Sequence, residues 1–173
     1  CLDTRCTYYN QNEEWRQSIS YCMKAEGSIC WVAPSSPRCW AISAADSVPI
    51  LVAMNASVRI HGPQGTREVP VAALYRDDGM RYLTLGRDEV ITTLLLPPDD
   101  GTRSIYWKLR RRGSIDFPVL GVGAAIRTDG DLVASARIVL GAVASSPLLV
   151  EQAAAGLIGK RLDAESIAAA AAI

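Results

Sequence analysis

The cysteines are the sequence feature that most restricts how this chain can fold. All five lie in the first 39 of 173 residues, and four of them are spaced by 16, 8 and 9 positions: Cys6, Cys22, Cys30 and Cys39. Iron–sulfur clusters are commonly held by four thiolates, because soft sulfur ligands suit iron. We therefore interpret residues 1–41 as a metal-binding insertion whose ligands the fold must bring together from long loops.

Three other interpretations of the cysteines stay open. Disulfides would suit a secreted protein, whereas we expect a cytoplasmic one. Buried thiols without a ligand are common, because cysteine packs as a small hydrophobe, but this does not explain why no cysteine follows Cys39. A zinc site with four thiolates is the third alternative.

Charge and hydropathy limit the classes of partner. Eighteen basic residues balance eighteen acidic ones, so no net field attracts nucleic acid or an anionic membrane. No apolar run reaches the roughly 18 residues of a membrane span, and we expect proteins and cofactors as partners. The sequence starts at Cys1 without methionine and stops inside an alanine run, so a fragment of a longer polypeptide is expected.

Periodicity and turn residues predict an α+β fold in two parts, residues 1–98 and 103–173, divided after Pro97-Pro98. Helices are predicted over 12–23, over 43–54 and from Pro147 onwards. Alternating apolar residues between turn signals predict strands over 57–60, 67–71, 90–96, 105–110, 119–127 and 132–140. The pair Asp129-Gly130 predicts the hairpin between the last two strands.

Other candidate sites are weaker. The only histidine, His61, lies in a predicted turn and is interpreted as a solvated loop residue. The segment 121–126, GVGAAI, is only superficially similar to a nucleotide-binding glycine loop, because it lacks the third glycine and leads into a hairpin. The basic run of Lys108 and residues 110–112 predicts either a phosphate contact or a solvated strand end.

The order of segments after Cys39 resembles a known family. The segments SAADSVPILVAMNASVRIHGPQGTREVPVAALY, LGRDEVITTLLLPP and YWKLRRRGSIDFPVLGVGAAI resemble the flavoprotein subunit of the molybdenum hydroxylases, which include xanthine dehydrogenase and carbon monoxide dehydrogenase. The resemblance implies the second lobe of an FAD-binding domain, followed by a small C-terminal domain of a three-stranded antiparallel sheet with helices. The motifs CLDTRC, SYC, GSIC and SSPRCW resemble the beta subunit of 4-hydroxybenzoyl-CoA reductase, a branch that adds a [4Fe-4S] cluster.

The resemblance also implies roles for individual residues. It makes the four spaced cysteines the cluster ligands and leaves Cys1 outside the set. Asp46 takes the place of an aspartate that holds the ribityl chain of the flavin, Ile91 that of an aliphatic residue near the isoalloxazine, and Lys108 that of a lysine near the flavin. No catalytic residue is implied. The family's N-terminal lobe, which carries the main pyrophosphate-binding turn, does not match this sequence, and a chain without it is expected to bind FAD poorly.

The implied activity is electron transfer as a subunit of a molybdenum-containing oxidoreductase. A ferredoxin-type donor would reduce the [4Fe-4S] cluster, and electrons would pass through FAD to a [2Fe-2S] subunit and a molybdenum-cofactor subunit that acts on 4-hydroxybenzoyl-CoA. Two alternatives stay open. One is the FAD subunit of an oxidative molybdenum hydroxylase with a purely structural insertion, and the other is a zinc-stabilised interaction module without redox activity.

Overall fold

The computed structural model describes residues 3–173. The expectation that Cys1 is not a cluster ligand therefore lies outside the described residues. The strands are β1 (Ser57–Gly62), β2 (Gly65–Pro70), β3 (Val90–Leu95), β4 (Arg103–Leu109), β5 (Leu120–Asp129), β6 (Leu132–Gly141) and β7 (Leu148–Leu149). The helices are α1 (Glu13–Ser18), α2 (Val48–Ala53), α3 (Glu151–Ala155) and α4 (Ala164–Ala171), with short 3₁₀ turns at Met23–Ala25 and Val71–Leu74.

The strands form two antiparallel sheets, with the orders β2-β1-β3 and β4-β5-β6-β7. Gly130 adopts a left-handed φ of 56° in the predicted Asp-Gly turn, and the strands flanking it pair from Asp129 to Leu132. The predicted α+β fold with antiparallel sheets is confirmed. The second sheet has four strands and not three, because the two residues of β7 pair with Val139 and Leu140.

Two helices are shorter than their periodicity predicts. The first stops at Ser18 because Ser20 and Tyr21 take left-handed φ values of 60° and 59°. The second begins only at Val48, because Ser43 upstream makes backbone hydrogen bonds to residues 142 and 144. Among residues 3–173, no helix has both the length and the apolarity needed to cross a bilayer.

One apolar core connects the two sheets through α2. Its buried members come from α2, the first sheet and its 3₁₀ turn, and the second sheet: Val48, Val52, Ala53, Ala56, Val58, Ile60, Val71, Leu74, Ala125 and Val139. Ile60 and Val139, one from each sheet, are both 0% exposed. The helix is thus fixed against both sheets by burial of apolar surface.

The glycines of β5 and β6 let α2 approach the second sheet closely. A Cβ atom on Gly123 would lie 2.5 Å from the carbonyl carbon of Pro49, and one on Gly141 would lie 2.6 Å from Pro49 Cγ. Gly123 of the GVG segment therefore serves strand–helix packing on a strand, which agrees with the expectation that this segment is not a nucleotide-binding loop.

Candidate functional site

The carboxylate of Asp46, just before α2, is held by two side chains of β4. Lys108 Nζ donates to Asp46 Oδ2 at 2.8 Å, and the Tyr106 hydroxyl donates to Asp46 Oδ1 at 3.1 Å. Residues 106 and 108 reach it together because alternate residues of a strand share a face. The Asp46 side chain stays 52% exposed, so the carboxylate is held in place yet open to a ligand.

Asp46 does not cap α2, although its position before the helix allowed that role. Ser47 occupies the N-cap position without a side-chain hydrogen bond, and Pro49 lies in the first turn. Because the side chain of Asp46 is bound to β4, its carboxylate belongs to the site and not to the helix.

Sequence reasoning missed Tyr106. Burial, and then its hydrogen bond to Asp46, raises the pKa of Tyr106 to about 12. A Cβ atom on Gly121 of the neighbouring strand would lie 2.7 Å from the Tyr106 hydroxyl oxygen, so the absence of a side chain there leaves room for the phenol. The signal in the sequence was the spacing of two from Lys108, which places both side chains on one face of a strand.

The structure brings Asp46 and Lys108 together, but it places Ile91 in the other sheet. Ile91 lies on β3, pairs with Ile60 of β1, and is 42% exposed. An exposed aliphatic side chain on a strand is available to an apolar ligand, and its assignment near the isoalloxazine stays a prediction.

The remaining candidates of the sequence are solvent-exposed. His61 Nδ1 lies 3.1 Å from Thr66 Oγ1 in the hairpin of β1 and β2. In the loop after β4, Arg112 Nε lies 3.7 Å from an Asp116 oxygen, and Arg110 Nη1 lies 3.5 Å from the carbonyl oxygen of Ser114. None of these three contacts forms a ligand site by itself.

Four cysteines of the insertion lie within the described residues, and all four are unpaired. Cys22, Cys30 and Cys39 are 6%, 4% and 4% exposed, Cys6 is half-buried, and none of these four forms a disulfide. Across residues 3–173, no three or more side chains of Cys, His, Asp or Glu are grouped closely enough to hold a metal ion. The structure therefore does not support a metal site, and the assignment of these cysteines as ligands stays a prediction.

Cys39 is one of the two least exposed of these cysteines, at 4% like Cys30. Burial raises its pKa, the backbone N–H of Ala41 lowers it, and the nearby Cys30, Lys24 and Cys6 act at longer range. A Cβ atom on Gly79 would lie 2.8 Å from Cys39 Sγ, and the Gly79 N–H donates to the Cys39 carbonyl oxygen at 2.9 Å. The turn around Gly79 thus packs directly against Cys39.

The nearly buried Lys24 contacts three residues near the start of the insertion. Its ammonium group donates to Thr4 Oγ1 at 2.6 Å, pairs with Asp3, and lies 4.5 Å from the centre of the Tyr9 ring. Burial has the largest effect on the pKa of Cys39 and raises it overall, although the charge of Lys24 lowers it.

Two protein-family models match the chain. Residues 26–99 match the FAD binding domain in molybdopterin dehydrogenase, and residues 104–173 match the CO dehydrogenase flavoprotein C-terminal domain. Asp46 lies in the first matched range, and Tyr106 and Lys108 lie in the second. The cluster of these three side chains therefore joins the two matched ranges.

Curated relatives agree with these matches. The aldehyde oxidoreductase FAD-binding subunit PaoB of Escherichia coli K12 is 33% identical over 163 residues, which are 89% of this chain and 50% of the relative. The nicotinate dehydrogenase FAD-subunit of Eubacterium barkeri is 30% identical over 129 residues, 73% of this chain and 44% of the relative. The chain thus spans about half the length of the curated relatives it matches.

Solved structures show the same fold. Carbon monoxide dehydrogenase from Hydrogenophaga pseudoflava matches with a TM-score of 0.65 and 31% identity, over 73% of this chain and 44% of that one. Quinoline 2-oxidoreductase from Pseudomonas putida 86 matches with a TM-score of 0.66 over 75% of this chain and 44% of that one, and at 23% identity it supports the fold alone. Together, the matches show that the chain belongs to the FAD-binding subunits of the molybdenum hydroxylase family.

Proposed function

We propose that the chain binds FAD and transfers electrons as part of a subunit of a molybdenum-containing oxidoreductase. The observation that carries the proposal is the Asp46 carboxylate, which is held by Tyr106 and Lys108 across the two matched ranges. An ionised carboxylate has about four acceptor positions, and two are used here. The remaining positions suit the hydroxyl groups of a ribityl chain.

The chemistry that a bound flavin supplies is the uptake and release of electrons. The role of this chain is to bind and orient the flavin. Asp46 would accept hydrogen bonds from the ribityl hydroxyls, the Lys108 ammonium would serve as a donor to the flavin, and Ile91 would pack against the isoalloxazine.

The proposed assembly is heteromeric and cytoplasmic. Residues 1–98 form part of the FAD-binding domain with its insertion, and residues 103–173 form the C-terminal domain. Separate [2Fe-2S] and molybdenum-cofactor subunits complete the enzyme, in keeping with relatives named as a subunit and as a medium chain. Electrons flow from substrate through FAD to an acceptor, as the names of dehydrogenases and oxidoreductases among the relatives suggest. The unpaired cysteines fit a reducing compartment.

A second candidate is a 4-hydroxybenzoyl-CoA reductase-like subunit, in which a ferredoxin-type donor delivers electrons through a [4Fe-4S] cluster to FAD. Three buried thiols in one segment, with a fourth half-buried, favour it. A cluster spreads its thiolates over several iron atoms, so its ligands need not converge as closely as those of one ion. Low-potential thiolate-ligated clusters are suited to reductive chemistry.

The first test measures FAD in the natural full-length polypeptide that contains this sequence, purified with its associated subunits. We expect one FAD per chain, and Asp46→Ala is expected to raise the dissociation constant at least about tenfold, because a charged hydrogen-bond acceptor is lost. Asp131→Ala is the matched control, since its carboxylate lies in an exposed ion pair with Arg161. Equal FAD affinity in both variants would contradict the proposed site.

The second test separates the two candidates by iron, acid-labile sulfide and zinc content in protein purified without oxygen. About four iron and four sulfide per chain, lost in Cys30→Ser but kept in Cys1→Ser, would establish the cluster and favour the reductive relay. One zinc without sulfide would indicate a zinc-stabilised insertion. If neither iron nor zinc is found, the oxidative subunit with a structural insertion is the remaining candidate. Assays of the whole complex in both directions would then give the direction of electron flow.

A further inference from the structure

We infer that Tyr106 is a positioning residue of the flavin site, whose hydroxyl fixes the Asp46 carboxylate in the orientation that receives the ligand. The inference rests on the proposed function. The role goes beyond Asp46, Ile91 and Lys108, the residues for which the family resemblance implies one, and it follows from contacts within the chain.

The two carboxylate oxygens of Asp46 have different partners. Lys108 holds Oδ2 and Tyr106 holds Oδ1, at 2.8 and 3.1 Å. An ammonium on a flexible stem is a point charge that can follow a rotating carboxylate. The phenol is a rigid ring with two side-chain torsions, so its bond to the second oxygen fixes the plane of the carboxylate.

The fold keeps space for this phenol. Tyr106 pairs with Gly123 across the β4–β5 ladder, and Lys108 pairs with Gly121. A Cβ atom on Gly121 would lie 2.7 Å from the Tyr106 hydroxyl oxygen and 3.0 Å from Cε2, so the ring lies directly over that glycine. A side chain at position 121 would displace the hydroxyl from Asp46.

The phenol is also kept in the donating form. Burial and the hydrogen bond to Asp46 raise the pKa of Tyr106 to about 12, so the hydroxyl stays protonated over the physiological pH range. Tyr106 therefore acts toward Asp46 as a hydrogen-bond donor and not as a base. The opposite side of β4 offers a contrast, since the side chain of Trp107 is 71% exposed.

A double-mutant cycle on the natural full-length protein tests the inference, with FAD as the probe. Tyr106→Phe is expected to weaken FAD binding roughly 3- to 10-fold and to shift the visible absorption of the bound flavin, because the carboxylate loses one of its two donors. In the Asp46→Ala background the same substitution is expected to change the dissociation constant less than about twofold, because Tyr106 acts through Asp46.

Gly121→Ala is a second variant. It keeps the Tyr106 hydroxyl but displaces it from Asp46. The obstructing atoms belong to the end of a side chain, so the strand can accept the methyl group while the phenol shifts. We expect a loss of affinity similar to that of Tyr106→Phe, and no further loss when the two are combined. Trp107→Phe on the opposite face of β4 is the control with unchanged affinity.

The outcomes are distinct. Unchanged FAD affinity and spectrum in Tyr106→Phe would overturn the inference while leaving the proposed function intact. An equal loss with and without Asp46 would also overturn it, because Tyr106 would then act independently of the carboxylate. A wild-type protein without FAD would overturn the proposed function and the inference together.

Discussion

The cysteine segment, residues 3–41, and the sheet body, residues 42–173, are stabilised in different ways. In the sheet body, α2 and both sheets share one apolar core, and within the described residues no member of that core comes from the cysteine segment. Helix α1 of the cysteine segment has no buried residue, and one isolated β-bridge, Arg5 with Ile42, joins the segment to the body.

Polar and aromatic contacts hold the cysteine segment instead. Thr4 Oγ1 donates to the carbonyl oxygen of Gly79, the Arg5 guanidinium lies 3.5 Å from the centre of the Phe117 ring, and Arg38 pairs with Asp77 at 2.7 Å. Contacts of this kind contribute less than an apolar core does. The residues of the proposed flavin site thus have a rigid frame without any ligand, whereas the cysteine segment is the part whose stability a bound metal would raise most.

The largest expected effect comes from breaking the packing of the sheet body. Gly123→Ala places a methyl group 2.5 Å from the Pro49 carbonyl carbon, in backbone that cannot rotate away. We expect a loss of about 3 kcal/mol in the free energy of unfolding, measured by chemical denaturation. Gly113→Ala, with no atom within 4 Å of the new methyl group, is the control. Equal stability of the two variants would contradict the close packing of α2 on β5.

Gly79→Ala is expected to loosen the cysteine segment and leave the sheet body largely unchanged. Its Cβ would lie 2.6 Å from Ala41 N and 2.8 Å from Cys39 Sγ, at the contact between the two regions. Amide hydrogen exchange in residues 3–41 should become faster, corresponding to a loss of about 1–3 kcal/mol in the free energy of local opening. Gly156→Ala, whose new contacts start at 3.4 Å, is the control. A uniform rise over both regions would show that they are not separate in stability.

Arg5→Met tests a weaker connection between the regions. Removing the guanidinium from the Phe117 ring is expected to cost about 0.5–1 kcal/mol, because the contact is partly solvated. Limited proteolysis should show faster cleavage within residues 3–41. No change in cleavage would mean that the other contacts, including the backbone bridge to Ile42 and the hydrogen bond of Thr4 to Gly79, set the attachment.

The smallest effect is expected from a surface ion pair within the sheet body. The side-chain hydrogen bond from Arg67, and then the Gly86 N–H, lower the pKa of Glu89 to about 2 from an ordinary 4.5. The stabilisation is therefore present above about pH 4.5 and is lost as the pH falls toward 2. The free energy of unfolding of Arg67→Met should be lower than that of the wild type above pH 4.5, and the difference should shrink as the pH falls toward 2. Arg111→Met is the control. A difference that stays constant with pH would exclude the ion pair as its cause.

The sequence predicted the sheet body better than the cysteine segment. Strand alternation and the Asp129-Gly130 turn placed the strands to within a few residues, because local patterns determine hairpins. The ends of the first two predicted helices were wrong, since the positive φ at Ser20 and the pairing of Ser43 depend on tertiary contacts.

The candidate site was predicted in part. Asp46 and Lys108 were found through resemblance, but Tyr106 was missed because its partner lies 60 positions away in the sequence. How the cysteines are arranged in space cannot be read from their spacing, because loops of 7 to 15 residues between them fix no geometry.

The central claim is that Asp46, Tyr106 and Lys108 form the flavin site, and a crystal structure of the natural full-length protein with FAD tests it most directly. The account predicts a ribityl hydroxyl within hydrogen-bond distance of Asp46, the Tyr106 hydroxyl still bound to the same carboxylate, and the isoalloxazine beside Lys108. FAD bound elsewhere, with the carboxylate of Asp46 in contact only with β4, would contradict it.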